Sequence, residues 1–152
     1  MKKLFFTCIF CFALSYNATA QESEATAKET ANWVLEKIQK YLKPDNNKIK
    51  IGQITVSACS ISIFVDFGDV YNGNGKMYLY EIPTYKLSVY PGGFSTNVAS
   101  IKRKNFSENS ENFVSNTCCF FDLQEGEENL FERLEKAIKH LNTFCPKKKE
   151  TF

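Results

Sequence analysis

The chain has 152 residues, with 19 lysines and arginines, 17 aspartates and glutamates, and one histidine. Lys2 and Lys3 belong to an N-terminal segment that we expect to be removed, and losing these two leaves 17 basic residues against the same 17 acidic ones. A formally neutral chain lacks the positive excess with which proteins neutralise nucleic-acid phosphates, so no nucleic-acid partner is expected. The length suits a single domain.

Segment 1–20 has the parts of a signal peptide. Two lysines are followed by an apolar run and then by the small-residue motif Ala18-Thr19-Ala20. The apolar run is shorter than the roughly 20 residues that cross a bilayer, so we do not expect a membrane-spanning protein. We predict cleavage between Ala20 and Gln21 and export, in the manner of a bacterial protein, to the periplasm or the cell exterior.

Residues 21–146 are predicted to form the domain, and 147–152 a solvated tail. A first helix is predicted from about Ala27 to Leu42, with its apolar face at Ala31, Val34, Leu35, Ile38, Tyr41 and Leu42. Alternating apolar residues predict strands between Ile49 and Leu123, with a polar loop at Ser107–Asn112 and a long last strand at Phe113–Leu123. A second helix is predicted from about Glu127 to Phe144, with an apolar stripe at Leu130, Leu134, Ala137, Ile138 and Leu141.

This order predicts an α+β domain: an antiparallel meander of five to seven strands between an N-terminal helix and a long C-terminal amphipathic helix. The connections between strands are of hairpin length, too short for the crossovers that parallel strands need. Each helix has one apolar face, and the strand block is the surface that both faces would cover.

The strand block Ile49–Leu123, closed by the helix Leu130–Leu141, resembles the pleckstrin-homology-like fold. The segment 134–141, Leu-Glu-Lys-Ala-Ile-Lys-His-Leu, also looks like the last helix of small exported bacterial domains of unknown function. The first helix is an addition to the pleckstrin-like pattern. The resemblance implies a binding scaffold rather than an enzyme. It does not carry over the phosphoinositides that pleckstrin-like domains often bind, because those lipids are absent from the bacterial exterior.

His140 is the only histidine and lies beside the apolar stripe of the second helix. A catalytic histidine needs a group that orients it and a nucleophile within reach, and no Gly-x-Ser-x-Gly motif accompanies it. We therefore expect a surface or boundary position rather than a catalytic one.

The loop from Asp66 to Asn74 is rich in side-chain oxygens and glycine. Such a loop can bind calcium, but the glutamate that closes an EF-hand site is missing. Asn-Gly pairs favour tight hairpin turns, because both residues tolerate positive φ. We interpret the loop as a turn and expect no metal or cofactor, with calcium binding as the alternative.

Four cysteines remain after the signal segment, and they allow three pairings. Cys118 and Cys119 are adjacent, so in a strand their side chains point to opposite faces. Cys59 lies between the first two predicted strands, and Cys145 lies at the end of the helix that docks on the sheet. We predict a Cys59–Cys145 disulfide, consistent with an oxidising compartment, and free thiols at Cys118 and Cys119.

Two surface patterns leave alternatives open. Lys102-Arg103-Lys104, with Lys48 and Lys50, is either a patch for anionic lipid or glycan or an ordinary solvated surface. The predicted strand that contains Tyr78 and Tyr80 is apolar on both faces, so it is either buried on both or exposes an adhesive one.

The sequence therefore predicts an exported, non-enzymatic binding or interaction module whose partner is an unknown protein or envelope component. The alternative is a small secreted hydrolase or hydrolase inhibitor built around His140 or the Asp66–Asn74 loop. The two hypotheses differ in the expected surroundings of His140, since an enzyme would place it in a pocket beside an acid and a hydroxyl.

Overall fold

The computed structural model describes residues 26–68, 70, 76–96, 101–106, 110–113 and 121–146, and these residues combine two helices with antiparallel sheets. Their elements, in chain order, are α1 26–41, β1 Leu42–Pro44, β2 Lys50–Val56, β3 Ser60–Asp66, β4 Met77–Pro83, β5 Leu87–Tyr90, β6 Gly93–Thr96, β7 Lys102–Asn105, β8 Ser110–Phe113, β9 Phe121–Leu123 and α2 Leu130–Thr143. The predicted signal segment, with its cleavage site at Ala20 and Gln21, and the predicted tail 147–152 lie outside the described residues.

The strands form one five-stranded sheet and two short ribbons. The sheet has the order β2-β3-β4-β7-β8, and β1 pairs with β9 while β5 pairs with β6. Every one of these pairs is antiparallel. The α+β class and the absence of parallel pairing among the described strands agree with the sequence analysis.

After β4 the chain leaves the predicted meander. β4 ends at Pro83, which has no N–H to donate to a sheet, and Lys86 has a φ of 52° that turns the backbone away. The β5–β6 hairpin lies against α2 instead, where the N–H of Val89 donates to the Glu135 carboxylate at 3.2 Å. β7 pairs with β4 in its place. The described residues contain nine strands in all, several of only three or four residues.

The polar loop predicted at Ser107–Asn112 is wrong at its C-terminal end, because β8 begins at Ser110 and pairs with β7. The predicted long strand Phe113–Leu123 has its two ends in different sheets, since Phe113 ends β8 and Leu123 ends β9. Within the described residues β8 is an edge strand. An edge strand is open to water on one side and so accepts polar residues that alternation rules would assign to a loop.

The predicted apolar faces of both helices are confirmed. The buried positions of α1 and its junction with β1 are Val34, Ile38, Tyr41 and Leu42, and those of α2 are Leu130, Leu134, Ile138 and Leu141. They share one core with the inward side chains of β3 and β4, which are Ile61, Ile63, Val65, Tyr80 and Ile82. Burying one such aliphatic side chain contributes about 1.5–3 kcal/mol, so this core holds both helices on the sheet.

α2 begins at Leu130 rather than at Glu127. Asn129 has a φ of 54°, outside helical geometry, and the carboxylate of Glu127 turns toward α1. Gly126 lies directly under the ring of Tyr41, and a Cβ at this position would overlap that ring. The residues before α2 therefore form a close contact with α1 and do not form a first helical turn of α2.

The C-terminal end of α2 is tied to the turn between β2 and β3. A disulfide joins Cys59 to Cys145 with their Cα atoms 5.0 Å apart, the same pair that the sequence analysis favoured. Beside it Thr84 is 1% exposed, and its hydroxyl donates to the carbonyl of Ala58 at 2.6 Å. The N–H of Thr84 donates to the carbonyl of Cys59 at 3.0 Å. The other cysteine pair, 118–119, lies outside the described residues.

Candidate functional site

His140 lies exposed on α2. Its ring meets the ring of Phe144 edge-on, with centroids 5.1 Å apart. In the described part of the chain the hydrogen bond at this residue is made by its backbone carbonyl, which accepts from the Thr143 hydroxyl at 2.7 Å, and not by its imidazole. Packing positions the ring, whereas a general base is oriented by a hydrogen-bonded partner.

A groove of about 660 Å³ runs between α1 and α2, with His140 among its lining residues. α1 contributes Glu29, Thr30 and Trp33, and α2 contributes Arg133, Lys136, Ala137 and His140. Spacings of three and four residues place each set along one side of its helix. These positions lie beside the two buried stripes, so the groove forms where the partly exposed sides of the two helices meet. Its surface is mainly apolar.

Trp33 is the partly buried aromatic side chain of this groove. The Nζ of Lys37 lies 5.8 Å from its ring centroid and the Cζ of Arg133 lies 5.4 Å from it. Both distances fall within the range of cation–π attraction. Tryptophan and arginine are among the side chains that most often dominate binding energy at protein interfaces.

The carboxylate of Glu127 fixes the cations near Trp33. Its Oε1 accepts hydrogen bonds from the Nζ of Lys37 and from the hydroxyl of Tyr41, both at 2.8 Å. These two hydrogen bonds lower the pKa of Glu127 from an ordinary 4.5 to about 2. The carboxylate is therefore ionised at neutral pH and holds the Lys37 side chain alongside α1.

Positive charge exceeds negative charge at this end of the groove. Arg133 lies 3.3 Å and Lys40 3.6 Å from the Glu127 carboxylate, so with Lys37 three cations share it. Glu36 adds a second carboxylate 3.8 Å from Lys37, but its side chain is 69% exposed. A cation whose counter-charge is shared in this way remains available to an incoming anion.

The sequence analysis did not single out Trp33, because it took the aromatics of the first helix as a cover for the strands. The available signal was the position of Trp33 outside the predicted apolar stripe. Glu29 and Lys37, four residues to either side, mark the same helix side as polar. The structure leaves Trp33 partly buried against the core and partly exposed in the groove.

Asp66 closes the turn after β3. Its carboxylate accepts from the N–H of Gly68 at 2.8 Å, and Gly68 has a φ of 50°. This is the local bond by which aspartate stabilises a turn. Asp69, Asn72 and Asn74 lie outside the described residues, and within the described ranges no three histidine, cysteine, aspartate or glutamate side chains cluster as metal ligands would.

The basic run on β7 is divided between the two faces of the sheet. Lys102 is exposed, whereas Arg103 points to the core face, where its Cζ lies 4.6 Å from the ring centroid of Tyr78. Because side chains alternate along a strand, Lys104 shares the outer face with Lys102. The run therefore does not form a single patch, which was one of the two alternatives that the sequence left open.

The outer face of β4 is partly exposed, so the strand is not buried on both faces. Tyr80 is fully buried on the core face, whereas Met77 on the outer face is 40% exposed. Phe106, which is 48% exposed, packs its ring 5.6 Å from that of Phe64 on the same side. The outer face thus presents a small apolar cluster beside the lysines of β7.

Comparison with models of protein families, with curated proteins and with solved structures found no match for this chain. Neither helix of the described segments combines the length and apolar character needed to cross a bilayer. Functional inference therefore depends on the geometry of the groove and of the sheet.

Proposed function

We propose that the protein is an exported, non-enzymatic binding module that holds a segment of a partner polypeptide in the groove between α1 and α2. The observation that carries the proposal is Trp33, which is partly exposed in this groove and contacted by Arg133. A large, rigid aromatic side chain gives contact area at low entropic cost, which is why such residues anchor interfaces.

The chemistry of the groove defines the segment that it would hold. Ala137 and the indole of Trp33 offer an apolar surface, and the lining carries Arg133 and Lys136 against the single acid Glu29. Complementary charge guides a partner into register and selects against others. The expected segment has an apolar anchor side chain flanked by aspartate or glutamate.

Export is part of the proposal. The Cys59–Cys145 disulfide supports it, because disulfides persist in oxidising compartments and are rare in the cytosol. A pleckstrin-homology-like scaffold is a further part of the proposal. The amphipathic α2, which closes an antiparallel sheet, supports it. The β5–β6 hairpin argues against it, because this hairpin lies in sequence between β4 and β7, which pair with each other. The mass of the exported protein tests the first part, since a chain that begins at Met1 rather than Gln21 would contradict it.

The alternative function, a small hydrolase or hydrolase inhibitor, draws on one observation: His140 lines the same groove as Glu29 and Thr30. The Thr30 hydroxyl, however, donates to the carbonyl of Thr26 at 2.9 Å, as a threonine inside a helix commonly does and an activated nucleophile does not. Turnover of any ester, peptide or glycoside substrate that disappears in His140→Ala would replace the binding proposal with this one.

The test selects binders for the groove from a displayed library of random peptides. Ala137→Arg fills the groove with a side chain that suits a helix, and Gln39→Arg adds the same charge at an exposed position of α1 outside the lining. Trp33 is the sole tryptophan, so its emission reports occupancy directly.

We expect selected peptides to carry an apolar residue beside acidic ones, to shift Trp33 emission and to bind Gln39→Arg but not Ala137→Arg. Far-ultraviolet circular dichroism checks that both variants fold. Peptides that bind Ala137→Arg as well as they bind the unaltered protein, or a selection that yields no binder, would overturn the proposal.

A further inference from the structure

Four side chains with polar groups lie together on the core face of β4 and β7. Tyr78 is directly opposite Asn105, and Tyr80 is directly opposite Arg103. We call these four residues the Arg103 block. Tyr80 is fully buried and Asn105 is 3% exposed, whereas Tyr78 and Arg103 keep part of their surface in contact with solvent. The block therefore lies where the core meets water.

The guanidinium of Arg103 is held by aromatic packing. Its Cζ lies 4.6 Å from the ring centroid of Tyr78. That ring meets the buried ring of Phe67 edge-on, with centroids 5.3 Å apart. The guanidinium thus packs on a ring that is itself in contact with the core.

The Nε of Arg103 is buried and has no hydrogen-bond partner among the described residues. A buried donor of a charged group is costly when it is unmatched, and arginine on a core face is normally paired with a carboxylate. Arg133, by comparison, has the carboxylate of Glu127 at 3.3 Å. The neighbours of Arg103 in sequence, Lys102 and Lys104, are on the other face of the strand and do not share its surroundings.

We propose that the Arg103 block binds the carboxylate of a small organic monoanion whose body is apolar or aromatic. The planar fork of a guanidinium matches the two oxygens of a carboxylate. One positive charge is balanced by one negative charge, whereas a phosphate dianion would leave a net charge in a partly buried site. The ring of Tyr78, which is partly exposed, provides the apolar surface for the body of the ligand. This site is separate from the groove between the helices.

The probe is phenylacetate, compared with phenylacetamide, which has the same shape without the charge, and with inorganic phosphate, which has charge without an apolar body. The measurements are the Nε–Hε signal of Arg103 in ¹H–¹⁵N spectra and the shift in Tm with ligand. Arg103→Gln removes the charge, and Lys102→Gln is the matched control on the exposed face of the same strand.

We expect phenylacetate to move the Arg103 Nε–Hε signal and to raise the Tm of both the unaltered protein and Lys102→Gln. Arg103→Gln should bind roughly 10- to 100-fold more weakly, the range given by losing a charge-assisted hydrogen bond. Phenylacetamide and phosphate should have little effect. A signal that phenylacetate leaves in place, or equal affinity of Arg103→Gln or of phenylacetamide, would overturn the proposal, and the spectrum of the unaltered protein decides this even if a variant folds poorly.

Discussion

Replacing Cys59 and Cys145 together by serine should lower the domain's free energy of unfolding by about 4–5 kcal/mol. The two cysteines are 86 residues apart in sequence, so the bond closes a long loop. In the chain-entropy model, the restriction that such a loop places on the unfolded chain stabilises the native state by about 4–5 kcal/mol. A domain of this size has a free energy of unfolding of about 5–15 kcal/mol. The double variant would therefore keep almost none of it at the lower limit and about two thirds of it at the upper limit.

The loss should act mainly through the unfolded state, because other bonds keep the two ends of the loop in place when the protein is folded. Thr84 still donates to the carbonyls of Ala58 and Cys59, and the buried Leu141 still holds the last turn of α2 on the core. The folded variant should therefore keep its far-ultraviolet spectrum while its unfolding midpoint falls.

Urea unfolding monitored by Trp33 emission gives the free energy of unfolding. The measurement is made in a Cys118→Ser/Cys119→Ser background, so that the removed bond cannot be replaced by another pairing, and this background with its disulfide intact is the control. Reducing the control should shift its midpoint as far as the double substitution does. A loss below about 1 kcal/mol, or a control whose midpoint is unmoved by reductant, would refute a loop-closure role for the bond.

Two further predictions concern single side chains. The pKa of Glu127 is about 2 in the folded protein and ordinary, near 4.5, in the unfolded chain, so its stabilisation is present above pH 4.5 and is lost as the pH falls toward 2. Glu127→Gln should show a weaker fall in Tm over that interval, and a fall parallel to that of the unaltered protein would contradict the assignment. Thr84→Val removes the buried hydroxyl that donates to the carbonyl of Ala58 and should lower the free energy of unfolding by about 1–3 kcal/mol, whereas Thr84→Ser should keep the bond. Equal stabilities of these two variants in urea would show that the hydroxyl does not matter.

The buried face of each helix could be predicted from the sequence, because the spacing of its apolar residues does not depend on which surface the helix packs against. The spacing of Val34, Ile38 and Tyr41 is sufficient to place the core side of α1, and Leu134 and Ile138 do the same for α2. The first residue of α2 was not predictable in this way. It depends on the contact of Glu127 with Lys37, a residue distant in sequence, and acidic residues near a helix start are equally consistent with an earlier first turn.

The sheet was predictable where strands follow one another as hairpins. β2, β3 and β4 pair in sequence order, and their alternating residues indicate it. The departure of β5 after Pro83 depends on the surface that α2 offers to the hairpin, and no local pattern contains that information. The short pairing of β1 with β9 likewise joins segments too distant for a periodicity to connect.

The two candidate sites show the same division. Alternation over Ile101, Arg103 and Asn105 would have placed the arginine on a buried face, but the run of three basic residues favoured an interpretation by composition. The groove at Trp33 depends on the relative position of two helices at opposite ends of the chain, and only its polar helix side was visible in the sequence.

The pairing of β1 with β9 sets a time order for folding. Leu42 finds its partner only at Leu123, and Cys59 finds its partner only at Cys145. In a chain that emerges from the ribosome N-terminus first, β1 cannot pair with β9 until all the strands between them have been made. Contacts this distant in sequence also make folding slow. The disulfide likewise cannot form before α2, which carries Cys145 just past its last turn, has been made, so the α2 end of the chain completes the domain.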